Sequence, residues 1–114
     1  MDIASARELV LNYFDGEEYD HFGRAAYRLK PKKVGGTPGK TFMTLWIEEG
    51  HAVLMLNVEQ QTALIAHHPE QFEPHPSKWG AKGATIMHLA RTSEKVFRAA
   101  LTLAIENAAP KSKN

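Results

Sequence analysis

Apolar residues near the start of the chain recur every three or four positions, from Ile3 to Phe14. This spacing places them on one face of an α-helix. Asp15 and Gly16 follow, and glycine is favoured just beyond a helix end because it adopts the left-handed conformation without strain. The pattern therefore predicts a first helix over residues 3–14.

The period then changes to two. In residues 25–30, apolar side chains alternate with Ala26, Arg28 and Lys30, which predicts a strand with one apolar and one basic face. Residues 40–47 are rich in β-branched and aromatic side chains and predict a second strand. The stretch between them, PKKVGGTPG, is dense in strand-breaking residues, so the two strands are expected to form a hairpin with a long tip.

The middle of the chain predicts one more strand and a helix. Residues 52–57 are so apolar that they indicate a central strand with both faces covered. A short helix is expected to begin at Asn57 or Glu59 and to end before Pro69, because proline cannot continue a helix. Its predicted inner side carries Val58, Leu64, Ile65 and His68.

The last part of the chain predicts two further strands and a closing helix. Residues 72–74 are a candidate for brief pairing, the segment PSKWGAKG predicts a turn, and residues 84–89 predict a strand. Thr92 or Ser93 is a suitable cap for a helix with a broad apolar stripe that Pro110 ends. The predicted fold is α+β, in the order α-β-β-β-α-β-β-α, with a twisted antiparallel sheet and helices mainly on one face.

Size and composition limit the possible classes of protein. A chain of 114 residues fits one domain, expected over residues 1–109, with residues 110–114 as a C-terminal tail. The absence of cysteine excludes disulfides, thiolate nucleophiles and cysteine-ligated metals. No apolar run approaches the length of a membrane span and the N-terminus lacks a leader pattern, so the expectation is a cytoplasmic protein with no membrane partner.

No pattern of catalytic residues emerges. The segment VGGTPGKT ends like a phosphate-binding loop, but it lacks the first glycine and is followed by a predicted strand instead of a helix. His67 and His68 are adjacent, so they diverge on a helix and are poorly placed to share a metal. The pairs Glu17-Glu18 and Glu48-Glu49 are expected in solvated turns. The expectation is a non-enzymatic protein with no metal and no cofactor.

The order and spacing of several short motifs resemble MmcQ/YjbR-like proteins over nearly the whole chain. The motifs are FGRAAYRL, GKTFMTLW, AVLMLN, HPEQF, WGAKG and the closing NAAPK. The resemblance implies a fold similar in layout to type III secretion chaperones and a DNA-binding label. This chain departs from the family pattern in the long tip PKKVGGTPG and in Ala84, where a large aromatic residue often follows the turn glycine.

Basic residues are concentrated in two acid-free stretches, residues 21–47 and 74–93, although the net charge is only +1. Loops of this kind can contact phosphates, and a tryptophan can stack on a base. The candidate nucleic-acid-binding residues are Arg28, Lys30, Lys32, Lys33, Lys40, Lys78, Trp79 and Lys82.

Two functions stay open at this point. One is DNA binding through phosphate contacts, which falls steeply with salt. The other is an interaction module that holds a protein segment or a small ligand on the sheet or along the region of Trp46 and Trp79. The sequence predicts neither the natural ligand nor the oligomeric state.

Overall fold

The computed structural model describes residues 1–31 and 33–109. The helices are α1 (Ile3–Glu8), α2 (Val58–His67) and α3 (Glu94–Ala108), and a π-helical turn, Leu9–Tyr13, continues α1 directly. The predicted helix starts are confirmed by their caps: side chains of Asp2, Asn57 and Ser93 accept hydrogen bonds from backbone N–H groups of the first turns. The predicted tail, residues 110–114, lies outside the described residues.

Within residues 1–31 and 33–109, six strands form one antiparallel sheet in the order β1-β2-β3-β4-β6-β5. They are β1 (Gly16–His21), β2 (Arg24–Leu29), β3 (Thr41–Trp46), β4 (His51–Met55), β5 (Phe72–Pro74) and β6 (Ala84–His88). The predicted α+β class, with its succession of helix, strands, helix, strands, helix, is confirmed. Because β3 follows Lys40 directly, no helix end cradles phosphate after the GKT segment.

Strand β1 was not predicted from the sequence. It pairs along its full length with β2, and the connection is a two-residue turn in which Phe22 and Gly23 both have positive φ. Turns with this backbone match the twist of paired strands, so the hairpin forms although its first strand is acidic. The interpretation of Glu17-Glu18 as a solvated turn was therefore wrong.

The Glu18 side chain shows why an acidic strand is stable here. Its carboxylate accepts a hydrogen bond from the Tyr27 hydroxyl (2.6 Å) and two from the Arg7 guanidinium (2.7 and 3.2 Å). These bonds keep the pKa of Glu18 below its ordinary value, and Arg7 is the largest cause. The charge is satisfied against α1, on the face of the sheet that the helices cover.

The core lies between this covered face and the helices. Tyr27, Phe42, Met43, Leu54 and Phe97 are among its fully buried side chains. The residues that pair with Tyr27 and Arg28 are Met43 and Thr41, which leaves Phe42 as an extra residue in β3.

This β-bulge changes which side chains each face of the sheet receives. It brings the adjacent side chains Phe42 and Met43 into the core together, while Thr41 and Thr44 line the pocket on the opposite face. The alternation expected for a strand is therefore interrupted next to the pocket.

The opposite face is called the open face here. Its apolar cluster is built from strands alone, with Val53, Ala84 and Ile86 at the centre and Trp46 and Met55 packed beside them. Strand β4 is central, as predicted, but the helices cover only its Ala52 and Leu54 side. The prediction that both of its faces are covered is confirmed, since Val53 on the opposite side is only 3% exposed, but the cover there comes from strand side chains, because α1, α2 and α3 all pack on one side of the sheet.

One smaller difference concerns α2. Val58, predicted on the inner side of α2, is 46% exposed, because it occupies the first position of the helix, next to the Asn57 cap. In residues 1–31 and 33–109, no helix has both the length and the apolar character needed to span a bilayer.

Candidate ligand pocket on the open sheet face

A pocket of about 490 Å³ occupies the open face. Its volume falls within the range typical of small-molecule sites, and most of its lining is apolar. The residues that line it are Tyr19, His21, Arg24, Thr41, Thr44, Trp46, Val53, Met55, His75, Ser77, Trp79 and Ala84.

The floor of the pocket is the surface of the central strands. Thr44 pairs with Val53 across β3 and β4, and Met55 pairs with Ala84 across β4 and β6. These residues share the face that bears Trp46, because side chains two positions apart on a strand point the same way. Ala84 contributes only a methyl group, and this leaves depth between the floor and the walls.

The first wall contains an arginine stacked on a tryptophan. The Cζ atom of Arg24 lies 3.5 Å from the centroid of the Trp46 ring, and the Trp46 indole N–H donates to Thr44 Oγ1 at 3.0 Å. The rings of His51 and His75 lie 5.6 and 5.5 Å from the indole, centroid to centroid. Trp46 is therefore held in one orientation by contacts on several sides.

Strand β1 extends this wall. The hydroxyl groups of Tyr19 and Thr41 share a short hydrogen bond across the open face. Arg28 stacks its guanidinium on the Tyr19 ring, with 4.4 Å between Cζ and the ring centroid, and donates to Glu17 at 2.9 Å. These contacts fix the aromatic ring at the edge of the pocket.

The second wall is the turn that carries Trp79, whose side chain is 55% exposed. Two glycines allow this turn to pack closely. A Cβ atom on Gly80 would lie 1.8 Å from the His75 carbonyl oxygen, and one on Gly83 would lie 1.9 Å from the Leu56 carbonyl oxygen. Gly83 also has a φ of +118°, which side chains rarely tolerate.

A buried amide anchors the turn from the covered side. The Nε2 atom of Gln61, on α2, donates to the carbonyl oxygens of Gly80 (2.9 Å) and Ala84 (3.1 Å). Gln61 is only 7% exposed. The position of Trp79 on the open face is therefore tied to a helix on the covered face.

The pKa of His51, whose ring contacts Trp46 in the first wall, is shifted by its surroundings. Burial, followed by the nearby His88 and His75, lowers the pKa of His51 below its ordinary value of 6.5. Its Nε2 atom is buried and has no hydrogen-bond partner in residues 1–31 and 33–109. The neutral imidazole is favoured beside Trp46 because a protonated, charged His51 would be poorly solvated there.

Among the described residues, His75 and Ser77 form a histidine–serine pair, with 2.9 Å between Nδ1 and Oγ. The same Oγ accepts the backbone N–H of Trp79, and His75 Nδ1 accepts the backbone N–H of Ser77. Such local bonds are typical of a turn. Within the described part of the chain, no group of three or more histidine or acidic side chains has metal-binding geometry.

The predicted nucleic-acid-binding residues separate into groups. Arg28 and Lys30 lie at one edge of the sheet, where Glu17 and Asp15 neutralise them at 2.9 Å each. Lys33 and Lys40 are exposed in the connection between β2 and β3.

One predicted group is brought together by the fold. Lys78 and Lys82 flank Trp79, with Nζ atoms 5.5 and 4.9 Å from its ring centroid. Lys32 lies outside the described residues. Of the predicted residues that are described, Trp79 alone lines the pocket.

Sequence reasoning missed most of the pocket. It named the region of Trp46 and Trp79 as an alternative surface but not Arg24, Tyr19 or the apolar floor. A signal was present, because Val53 and Met55 alternate with Ala52 and Leu54 in a strand that is apolar on both sides. Helices α1, α2 and α3 pack on one of these sides, and the other side forms the floor of the pocket.

Comparisons of this chain with protein-family models, curated proteins and solved structures return no match. The resemblance to MmcQ/YjbR-like proteins therefore stays a prediction.

Proposed function

We propose that this protein is a non-enzymatic binding module that holds a small planar organic ligand in the open-face pocket. The observation that carries the proposal is the pocket itself, a concavity of about 490 Å³ with an apolar floor and a tryptophan in each wall. Small-molecule sites commonly combine apolar and aromatic lining with a few polar groups that orient the ligand. Here Thr41, Thr44 and His75 supply such groups.

The two tryptophans have different parts in this proposal. Trp46 is held by Arg24 and Thr44, so it offers a preorganised surface that loses little entropy on binding. Trp79 is half exposed, so a ligand that covers its ring removes apolar area from water. A flat ligand that touches both rings would therefore gain binding free energy from each tryptophan.

The test uses resonances that report on the two faces of the sheet separately. The chain has two tryptophans and four methionines. We expect the neutral aromatic amide 2-naphthamide to shift both indole N–H signals and the Met55 methyl signal in a saturable manner. The methyl groups of Met43 and Met87, buried on the covered face, serve as the matched control and should not move.

Two outcomes would contradict the proposal. One is an absence of change in the Trp46 and Met55 signals with 2-naphthamide and also with its carboxylate and phosphate analogues, each up to its solubility limit. The other is equal movement of the Met43 and Met87 signals, which would indicate unfolding or nonspecific association. Replacement of Trp46 by phenylalanine assigns the indole signals.

A second candidate function is nucleic-acid binding, and one observation favours it. Lys78 and Lys82 place two ammonium groups around the exposed ring of Trp79, an arrangement that suits stacking on a base with contacts to phosphate. The ion pairs of Arg28 and Lys30 with acids weigh against a wider basic surface.

Fluorescence anisotropy with labelled single-stranded and duplex oligonucleotides at two ionic strengths tests this candidate. Affinity that falls steeply with salt and is lost in a Lys78→Gln, Lys82→Gln variant would support it. Lys95→Gln, an exposed change on α3, is the control. Absence of binding at low salt would remove nucleic acid as a candidate.

A further inference from the structure

We infer that the ligand of this pocket is an organic anion, and that Arg24 binds its anionic group. The inference rests on the proposed function and adds the chemical class of the ligand. The expected ligand has a planar apolar body over the pocket floor and a pair of anionic oxygens at the Arg24 guanidinium.

Arg24 has no ion-pair partner in residues 1–31 and 33–109. Three other arginines, Arg7, Arg28 and Arg98, are paired with carboxylates at 2.7 to 3.0 Å. Arg24 is partly buried, and its guanidinium lies flat on Trp46. A stacked guanidinium keeps the N–H groups at its edge for acceptors, and a pair of oxygens matches them best.

The charged side chains that line the pocket also favour an anionic ligand. Among the described residues that line the pocket there is no aspartate and no glutamate, whereas His21, Arg24 and His75 are present. The ammonium groups of Lys78 and Lys82 lie beside Trp79 in the opposite wall. An anion that enters the pocket therefore meets only neutral or positively charged side chains, and attraction at this short range is strengthened by partial exclusion of water.

Arg24 lies apart from the apolar floor of the pocket, so the polar and apolar parts of a ligand would bind at different places. The register that pairs Ala26 with Thr44 brings Arg24, two residues along β2, beside Trp46 on the open face. The guanidinium is thus at the rim, while the apolar floor lies at Val53, Met55 and Ala84. An amphipathic ligand with one anionic end fits this division.

Three probes with the same ring system test the inference: 2-naphthoate, 2-naphthyl phosphate and the neutral 2-naphthamide. Carboxylate and phosphate present similar paired oxygens to a guanidinium, so both anions should bind the wild-type protein about tenfold or more tighter than the amide. Their relative affinities identify which anionic group the pocket prefers.

The variants are Arg24→Gln, Arg24→Lys and the control Arg98→Gln. Arg98 is also stacked on an aromatic ring, with Cζ 3.9 Å from the centroid of Tyr13, but that ring is absent from the pocket lining. We expect Arg24→Gln to reduce the ratio of the affinity for the anions to the affinity for the amide to about one. Arg24→Lys should retain part of the preference for the anions, and Arg98→Gln should leave this ratio unchanged. The Met55 methyl signal, from the pocket floor, reports whether the Arg24 variants keep the pocket intact.

Failure of the inference and failure of the proposed function give different results. Equal affinity of the wild-type protein for 2-naphthoate and 2-naphthamide, or a preference that persists in Arg24→Gln, overturns the role of Arg24 while the pocket still binds. If none of the three probes shifts the Trp46 signal, both the inference and the proposed function are overturned.

Discussion

The side-chain amide of Gln61 donates to the carbonyl oxygen of Gly80 at 2.9 Å and so joins α2, on the covered face, to the turn that forms one wall of the pocket. The same nitrogen donates to Ala84, in the pocket floor. One buried polar side chain thus connects the hydrophobic core with the open face.

Replacing Gln61 by methionine should destabilise the protein and loosen the pocket wall. The carbonyl oxygens of Gly80 and Ala84 each lose one donor and keep a backbone N–H donor, from Gly83 and His75. The loss of these two buried hydrogen bonds should lower the free energy of unfolding by about 0.5–1.5 kcal/mol each. Gln71→Met is the matched control, since no side-chain hydrogen bond involves Gln71 in residues 1–31 and 33–109. Urea denaturation measures both variants, and an equal loss in the two would contradict the account of Gln61.

Gly83→Ala should be far more destabilising than Gly50→Ala. Both glycines have positive φ, so alanine is strained at each, by about 1–2 kcal/mol. At Gly50 the added Cβ meets no atom within 4 Å, whereas at Gly83 it would lie 1.9 Å from the Leu56 carbonyl oxygen. The loss at Gly83 should therefore be roughly 3 kcal/mol or more. Thermal denaturation compares the variants, and similar melting temperatures would show that the turn is not packed as described.

Stability should fall on mild acidification because of His51. Burial first, then the nearby His88 and, less strongly, His75 lower its pKa in the folded state below 6.5, and Glu49 and Glu73 offset only part of this shift. Below pH 6.5 the unfolded chain therefore binds a proton that the folded protein resists. Stability falls as the pH falls through this range, down to the folded-state pKa.

A series of melting curves between neutral pH and pH 5 checks this prediction. His51→Gln should flatten the dependence of the melting temperature on pH, and His67→Gln, an exposed change on α2, should leave it unchanged. A His51→Gln protein with the wild-type dependence on pH would assign the acid sensitivity to other groups.

The sequence predicted the covered face well, because apolar periodicity and helix caps are local signals. Asn57 and Ser93 cap α2 and α3 as their residue types indicate, and residues 41–46 are extended. Strand β1 was not predicted because its acidic residues have low strand propensity. Its stability depends on contacts of Glu18 with Arg7, in α1, and with Tyr27, in β2, and a local pattern does not reveal such contacts.

The candidate site was predicted only in part because its parts are brought together by strand register. Charge runs pointed to the basic loops, yet Arg28 and Lys30 meet the acids of the unpredicted β1 region. The stack of Arg24 on Trp46 depends on the pairing of β2 with β3. Periodicity within one segment carries no information on such pairings.

If the open-face pocket binds a ligand, then filling its floor at Ala84 should abolish binding. This residue is 6% exposed and forms part of the floor, so the larger side chain of Ala84→Phe would fill the space above it. Isothermal titration of 2-naphthoate into Ala84→Phe should show binding lost, while Ala66→Phe, an exposed change on α2, should bind as the wild type does. An Ala84→Phe protein that keeps its core Met43 and Met87 signals and binds 2-naphthoate with wild-type affinity would contradict the claim.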